Sequence, residues 1–325
     1  MSSGEFEFIQ TLANFANKHP QSLGLQDDGA IISCGDRKLV VVKDLVQAGV
    51  HALDHDTDID IVRKAIRVNL SDLAAMGARP EFLLLAICFN EIPNSKLLAA
   101  AIESECKEFN VALIGGDTVM GKGPTTVCIT AIGYLAGPAI LRSGAMVGDD
   151  IWVSGALGDA ALGLRLLQSN ENSSEFLTLN AVEKSYLSSR YRWPEPRIAL
   201  GEALGGIATA MIDISDGLKA DASHISKSSN IAMKIDVNLL PKSAAFRKWA
   251  DKTTELGMEY SVLFGGDDYE LLFTANCTDR EEIMSISART GCSITRIGQV
   301  KPGKYMKFFR EGTEVKLSDV GFTHF

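Results

Sequence analysis

Apolar and polar positions alternate along the chain in two rhythms. Residues 5–18 fit an amphipathic helix, "GAIIS" (29–33) and "KLVVV" (38–42) are short β-type runs, and residues 59–76 carry apolar positions at helical spacing behind Thr57 or Asp58 as a cap. "FLLLAICF" (82–89) predicts a buried strand, 95–109 a helix, "VALIG" (111–115) a strand and "TTVCITAIGYL" (125–135) a longer one, before Gly137-Pro138 breaks the pattern. The second half repeats the alternation. Strands are predicted at 150–154, 207–213, 231–237, 270–275 and 293–300, with helices at 158–168, 175–190 and 217–227. "RWPEPR" (192–197) predicts a turn that starts a helix. Elements alternating in this way imply an α/β or α+β fold with helical cover.

The 325 residues exceed one core of ordinary size, so two domains are expected, 1–138 and 139–325. Forty-one acids against 32 bases argue against a nucleic-acid surface, so an anionic substrate would need cations to mediate. The longest apolar run is strand-sized, which predicts no membrane span, and a cytoplasmic protein is expected. Six cysteines without a C-x-x-C pair predict free thiols, most of them buried, rather than zinc or a disulfide.

Chemistry concentrates in acids that follow apolar runs. "LIGGDTV" (113–119) and "LFGGDDYE" (263–270) each place an aspartate after two glycines, and "VNLSDLAAMG" (68–77) has a counterpart in "IDISDGLKAD" (212–221). The same order in both halves, Ser-Asp and then Gly-Gly-Asp, suggests a weak duplication with Ser-Asp delivered at element ends. Aspartate has the shortest anionic arm, so several can converge on Mg²⁺, whose ligands lie at about 2.0–2.1 Å. Glycine lets a backbone approach a phosphate closely. The acids available are Asp27, Asp28, Asp44, Asp72, Asp117, Asp213, Asp216 and Asp267. Taken singly, each reads more readily as a helix cap or an Asx-turn; as a set, they point to a multi-metal phosphate site.

Several familiar signatures are missing. "GDTVMGKG" contains G-x-x-x-x-G-K at 116–122, but Gly123 stands where a P-loop needs Ser or Thr, and a strand rather than a helix follows. There is no G-x-G-x-x-G, G-x-S-x-G or H-E-x-x-H, and the five histidines show no metal spacing.

At "NLSDLAAMGA" (69–78), "LIGGDT", "LRSGA" (141–145), "IDISDGL" (212–218) and "GGDDYEL" (265–271) the chain resembles the thiamine-monophosphate kinase family, within the aminoimidazole ribonucleotide synthetase-like superfamily. The resemblance implies a two-domain α/β fold, an N-terminal sheet that forms a barrel across a homodimer, and ATP with several Mg²⁺ ions used to phosphorylate thiamine monophosphate. Carried over by position, Asp28, Asp44, Asp72, Asp117, Asp213 and Asp216 match metal-binding acids. Gly116, Asp117, Arg142 and Ser215 match ATP contacts, and His51 and Asp267 match contacts to thiamine phosphate. No general base is implied. Asp267 stands where the family commonly has glutamate, Gln26 replaces a glycine, and Val42-Lys43 replaces Ser-Thr; Lys43 is expected to substitute in part for one metal ion. Two other readings stay open at this stage, a formylglycinamidine cyclase-like enzyme and a non-catalytic nucleotide-binding homologue.

Overall fold

The computed structural model describes residues 12–13, 16, 19–169, 173–251 and 262–315. The helix expected over 5–18 therefore lies largely outside the described residues. The first half consists of β1 (Ala30–Cys34), β2 (Arg37–Gln47), α1 (Asp58–Ala75), β3 (Arg79–Phe89), α2 (Ser95–Glu108), β4 (Ala112–Met120) and β5 (Thr126–Leu135). The strands form one sheet in the order β1-β2-β5-β3-β4, in which only β3 and β4 run parallel, joined through α2. Thr57 starts α1 by accepting from the Asp60 N–H, while the Asp60 carboxylate reaches back to the Thr57 backbone.

One face of this sheet packs on α1. Val40, Val42 and Val46 of β2, Leu83, Leu85 and Ile87 of β3, and Val127, Ile129 and Ala131 of β5 bury against Ile61, Val62, Ile66, Leu70 and Leu73. The opposite face leaves Leu45, Phe82 and Leu84 exposed, and β4 is exposed along its whole length as an edge strand.

The second half contains β6 (Asp150–Ser154), α3 (Asp159–Gln168), α4 (Ala181–Arg192), α5 (Ile198–Ala203), β7 (Ala208–Asp213), α6 (Leu218–Ser229), β8 (Ala232–Asp236), α7 (Ala244–Ala250), β9 (Leu271–Ala275), α8 (Arg280–Thr290), β10 (Ile294–Lys301), β11 (Met306–Arg310) and β12 (Thr313–Val315). Its seven strands run β12-β11-β8-β10-β6-β9-β7. β6 and β9 are buried at every position, which is why they read as apolar runs rather than alternating ones.

The C-terminal end of α1 belongs to both halves. Ala74 and Ala75 pack with Leu200, Leu204, Met211 and Phe273 in a separate buried cluster. A Cβ on Gly201 of α5 would stand 2.1 Å from the Ala74 carbonyl oxygen, so only glycine lets the two backbones approach. This contact sets the last turns of α1 against the end of β7.

Several sequence-based expectations change. The predicted helix 175–190 is a single 3₁₀ turn at Ser174–Phe176 followed by α4, which Asn180 caps. α5 follows "RWPEPR" as expected, whereas α7, α8, β11 and β12 were not anticipated; α8, for example, buries only Ile283 and Ile286, too sparse an apolar stripe to read. All six cysteines are free as expected, but only Cys292 is buried. The duplication does not hold structurally. Ser71 and Asp72 lie inside α1 rather than at an element end, and the first Gly-Gly-Asp lies within β4 while the second lies in the loop before β9.

Candidate active site

Three of the predicted metal ligands converge. Carboxylate oxygens of Asp28, ahead of β1, Asp72 of α1 and Asp213 at the end of β7 lie within 4.8 Å of one another. Burial pushes the Asp72 carboxyl well above the usual range, and repulsion from Asp44, Asp213 and Asp28 adds to it. Asp213 is raised to about 7, first by burial and then by Asp28, against the lowering effect of its hydrogen bond from Ser71. That bond, Ser71 Oγ to Asp213 Oδ2 at 2.5 Å, joins the two Ser-Asp segments in space although they are not equivalent in structure. Asp44 of β2 faces the same group, its backbone N–H held by Asn69 Oδ1 at 2.9 Å. Short carboxylates crowded together, all oxygen donors and held against their own repulsion, fit a hard divalent cation.

Arg142 is the cation already in place. Its Nε donates to Asp28 Oδ1 at 3.1 Å, its Nη2 donates to the same oxygen, and its backbone N–H donates to Asp27 at 2.7 Å. Burial favours loss of the guanidinium proton, but Asp28 outweighs it and holds Arg142 firmly charged. Asp216 borders this group: its N–H donates to Asp221 Oδ2 at 3.1 Å, and burial together with the Asp216 and Asp213 charges raises Asp221. Asp221 was missed by sequence reasoning.

The "IDISDGL" and "GGDDYEL" segments prolong the β7–β9 pairing. Ile214 N–H donates to the Glu270 carbonyl at 2.8 Å, Tyr269 N–H to the Ile214 carbonyl at 2.8 Å, and Asp267 N–H to the Ser215 carbonyl at 2.8 Å. A Cβ on Gly266 would stand 2.4 Å from the Ser215 oxygen, and one on Gly116 1.9 Å from the Leu85 oxygen. In both Gly-Gly-Asp runs the second glycine is thus required by packing against protein backbone. Tyr269, also missed, packs on the N-terminal core, and its hydroxyl is pushed up by burial and by the charges of Asp267, Asp44, Asp213 and Asp72. It therefore lies near both the acid group and Asp267.

His51 and Asp267, the predicted substrate contacts, meet through a residue that sequence reasoning also missed. Lys64 of α1 donates to the His51 carbonyl at 2.7 Å and pairs with Asp267 Oδ1 at 2.8 Å. Its only advance sign was a lysine among the buried Ile61, Val62, Ala65 and Ile66 of one helix.

Two expectations are not met within one chain. Asp44, Ile129, Leu85 and Gly116 share a cross-strand row over four adjacent strands, so Asp117 stands about 14 Å from Asp44 and apart from the acid group. Asp117 and Gly116 are exposed on β4. Lys43 points away from Asp44, as successive strand residues do, and donates to Thr130 Oγ1 at 3.1 Å on the open face of the sheet. It cannot replace a metal ion at the acids of its own chain.

The chain is similar to known proteins along its whole length. The family model described as AIR synthase related protein, N-terminal domain, matches residues 26–135. The thiamine-monophosphate kinase of Salmonella typhimurium is 36% identical over 332 residues, covering 100% of this chain and 99% of its own. The crystal structure of thiamine-monophosphate kinase from Stenotrophomonas maltophilia K279a superposes with a TM-score of 0.78 at 37% identity, covering 89% of this chain and 90% of that one. AaThiL, solved in complex with AMPPCP and TMP, gives a TM-score of 0.81 at 28% identity over 100% of this chain and 99% of its own. With relatives of this identity matched from end to end, the chain belongs to the thiamine-monophosphate kinase family.

Proposed function

We propose that the acid-lined site at the end of α1 is where this chain transfers the γ-phosphoryl group of ATP to the phosphate of thiamine monophosphate, giving thiamine diphosphate. The observation that carries this reading is the convergence of Asp28, Asp72 and Asp213 beside Arg142, with Tyr269 near these acids and near Asp267. AaThiL, which matches the whole chain, was solved with AMPPCP and TMP together, and this supports ATP as co-substrate. Asp28, Asp44, Asp72 and Asp213 would hold Mg²⁺, with Asp216 at the border. Bound there, Mg²⁺ would screen the charge of the two phosphates that meet.

The chain's own part is positioning. The acceptor is a phosphate monoester with a second pKa of about 6, already largely ionised at neutral pH, so no general base is required. Repulsion between two unit charges about 4 Å apart amounts to about 4 kcal/mol at an effective dielectric near 20. Arg142 is aimed at the acids and is freed to hold nucleotide phosphates once Asp28 binds a cation. Ser215 lines the nucleotide side together with Gly116 of a second copy, and His51 and Asp267 line the thiamine phosphate side.

The site takes Asp117 from a second copy. In support, Leu45, Phe82 and Leu84 expose an apolar sheet face, β4 offers an unpaired edge, and Asp117 is too distant from Asp44 in its own chain. The chain acts as a homodimer with a barrel across the two N-terminal sheets. Residues 1–138 bind ATP and metal and make the dimer, and residues 139–325 complete the substrate cleft; the two sheets and their separate cores support this division. No helix of the described residues is long and apolar enough to cross a membrane, and the six free cysteines support a cytoplasmic location. ADP release from Mg-ATP on adding thiamine monophosphate tests the function. A protein that binds Mg-ATP yet releases no ADP would be a non-catalytic homologue.

A further inference from the structure

Lys64 is 1% exposed and, among the fully buried side chains of the described residues, second in volume to Trp249. An ammonium so deeply buried is retained only if its three protons are answered. One proton goes to Asp267 Oδ1 at 2.8 Å and one to the His51 carbonyl at 2.7 Å, while the Tyr191 ring offers its face at 4.0 Å. The partners come to α1 from three places: the turn after β2, α4, and the loop before β9.

These partners need holding. Asp267 adopts φ +67, a left-handed conformation unusual outside glycine, and Tyr269 follows at φ +49. The Asp267 side chain is 28% exposed, so one oxygen is fixed by Lys64 while the carboxylate still opens to solvent. His51 accepts the Gln47 N–H on Nδ1 at 3.2 Å, and Lys64 together with the Tyr191 hydroxyl at 3.5 Å fixes its carbonyl.

We infer that Lys64 is the positioning residue of the thiamine phosphate pocket, setting the spacing between His51 and Asp267 from beneath and aiming the second Asp267 oxygen at the cationic end of the substrate. Thiamine monophosphate carries a permanently charged ring and an anionic phosphate. A pocket with a fixed carboxylate and a fixed imidazole suits such a ligand, provided both stand at a set distance. Lys64 supplies that distance without touching the substrate, and its charge keeps Asp267 anchored in a conformation the backbone alone disfavours.

The inference rests on the kinase reading and is tested by steady-state kinetics of Lys64→Met, which keeps the apolar stem and removes the charge. The KM for thiamine monophosphate is expected to rise at least about tenfold, with the KM for ATP within about twofold of wild type. Asp267→Asn should produce the same selective rise, and the double variant should be no worse than either single, because both break one contact. Equal rises in both KM values, or an unchanged KM for thiamine monophosphate in either single variant, would overturn it. If Lys64→Met fails to fold, Lys64→Gln decides by the same criterion. If wild type forms no thiamine diphosphate, the kinase reading fails instead; calorimetric binding of thiamine monophosphate to wild type and to both variants then tests the pocket separately, and equal affinities would overturn the role of Lys64.

Discussion

At the scale of residues, the site stores charge repulsion that a cation would relieve. Asp213 titrates at about 7 in the folded protein, and Asp72 is raised as well, against about 3.9 for an unfolded aspartate. Between those values the folded state holds protons that the unfolded state has released. Stability from these groups is therefore greatest near the lower end and falls as pH rises toward 7. Mg²⁺ competes for the same oxygens and should help most where the protons are gone. The melting temperature is expected to rise more on adding Mg²⁺ at about pH 8 than at about pH 5.5, and Asp213→Asn should flatten that difference. Thermal melts at the two pH values check this; the same Mg²⁺ shift at both would contradict it.

At the scale of elements, α1 is the part on which the site depends. It carries Lys64, Asn69, Ser71 and Asp72 along one helix, and its last turn is seated on α5 at Gly201. Gly201→Ala would drive a Cβ into the Ala74 carbonyl, two residues beyond Asp72. A loss of about 1–3 kcal/mol is expected in denaturant unfolding, with weakened Mg²⁺ binding; unchanged stability would mean the helices part freely. Much of this element was legible in advance. Its apolar spacing and its Thr57 cap were readable, and so were the strands around it, because each buries one face or both in an ordinary way. Lys64 was not, since a lysine in a helix usually reads as solvated and nothing local reveals that Asp267, some two hundred residues later, will answer its charge. Gly116 and Gly266 were noticed as bare backbone, but their close neighbours are protein carbonyls, which only the tertiary contacts reveal.

At the scale of the whole molecule, the acids were legible as a set but their distances were not. Asp28, Asp72 and Asp213 arrive from three separate elements and converge. Asp117 belongs to the same motif set yet lies across the sheet, because strand order rather than sequence order decides which residues share a neighbourhood. Its assignment to a second copy makes a clear prediction. Asp72→Asn and Asp117→Asn proteins, each inactive alone, should recover activity when unfolded and refolded together, since a mixed dimer then contains one site with both acids intact. An assay of the mixture reads the outcome, and no recovery would put Asp117 in the site of its own chain or outside any site.

The central claim is that Asp28, Asp72 and Asp213 form the centre where phosphate meets phosphate. Thiamine diphosphate formation from thiamine monophosphate and Mg-ATP, by wild type and by Asp72→Asn side by side, tests it most directly. Wild type should form product and Asp72→Asn at least about 10²-fold less, while the metal-free variant melts no lower than wild type because a repelling charge has gone. An Asp72→Asn protein that turns over as fast as wild type would contradict the account.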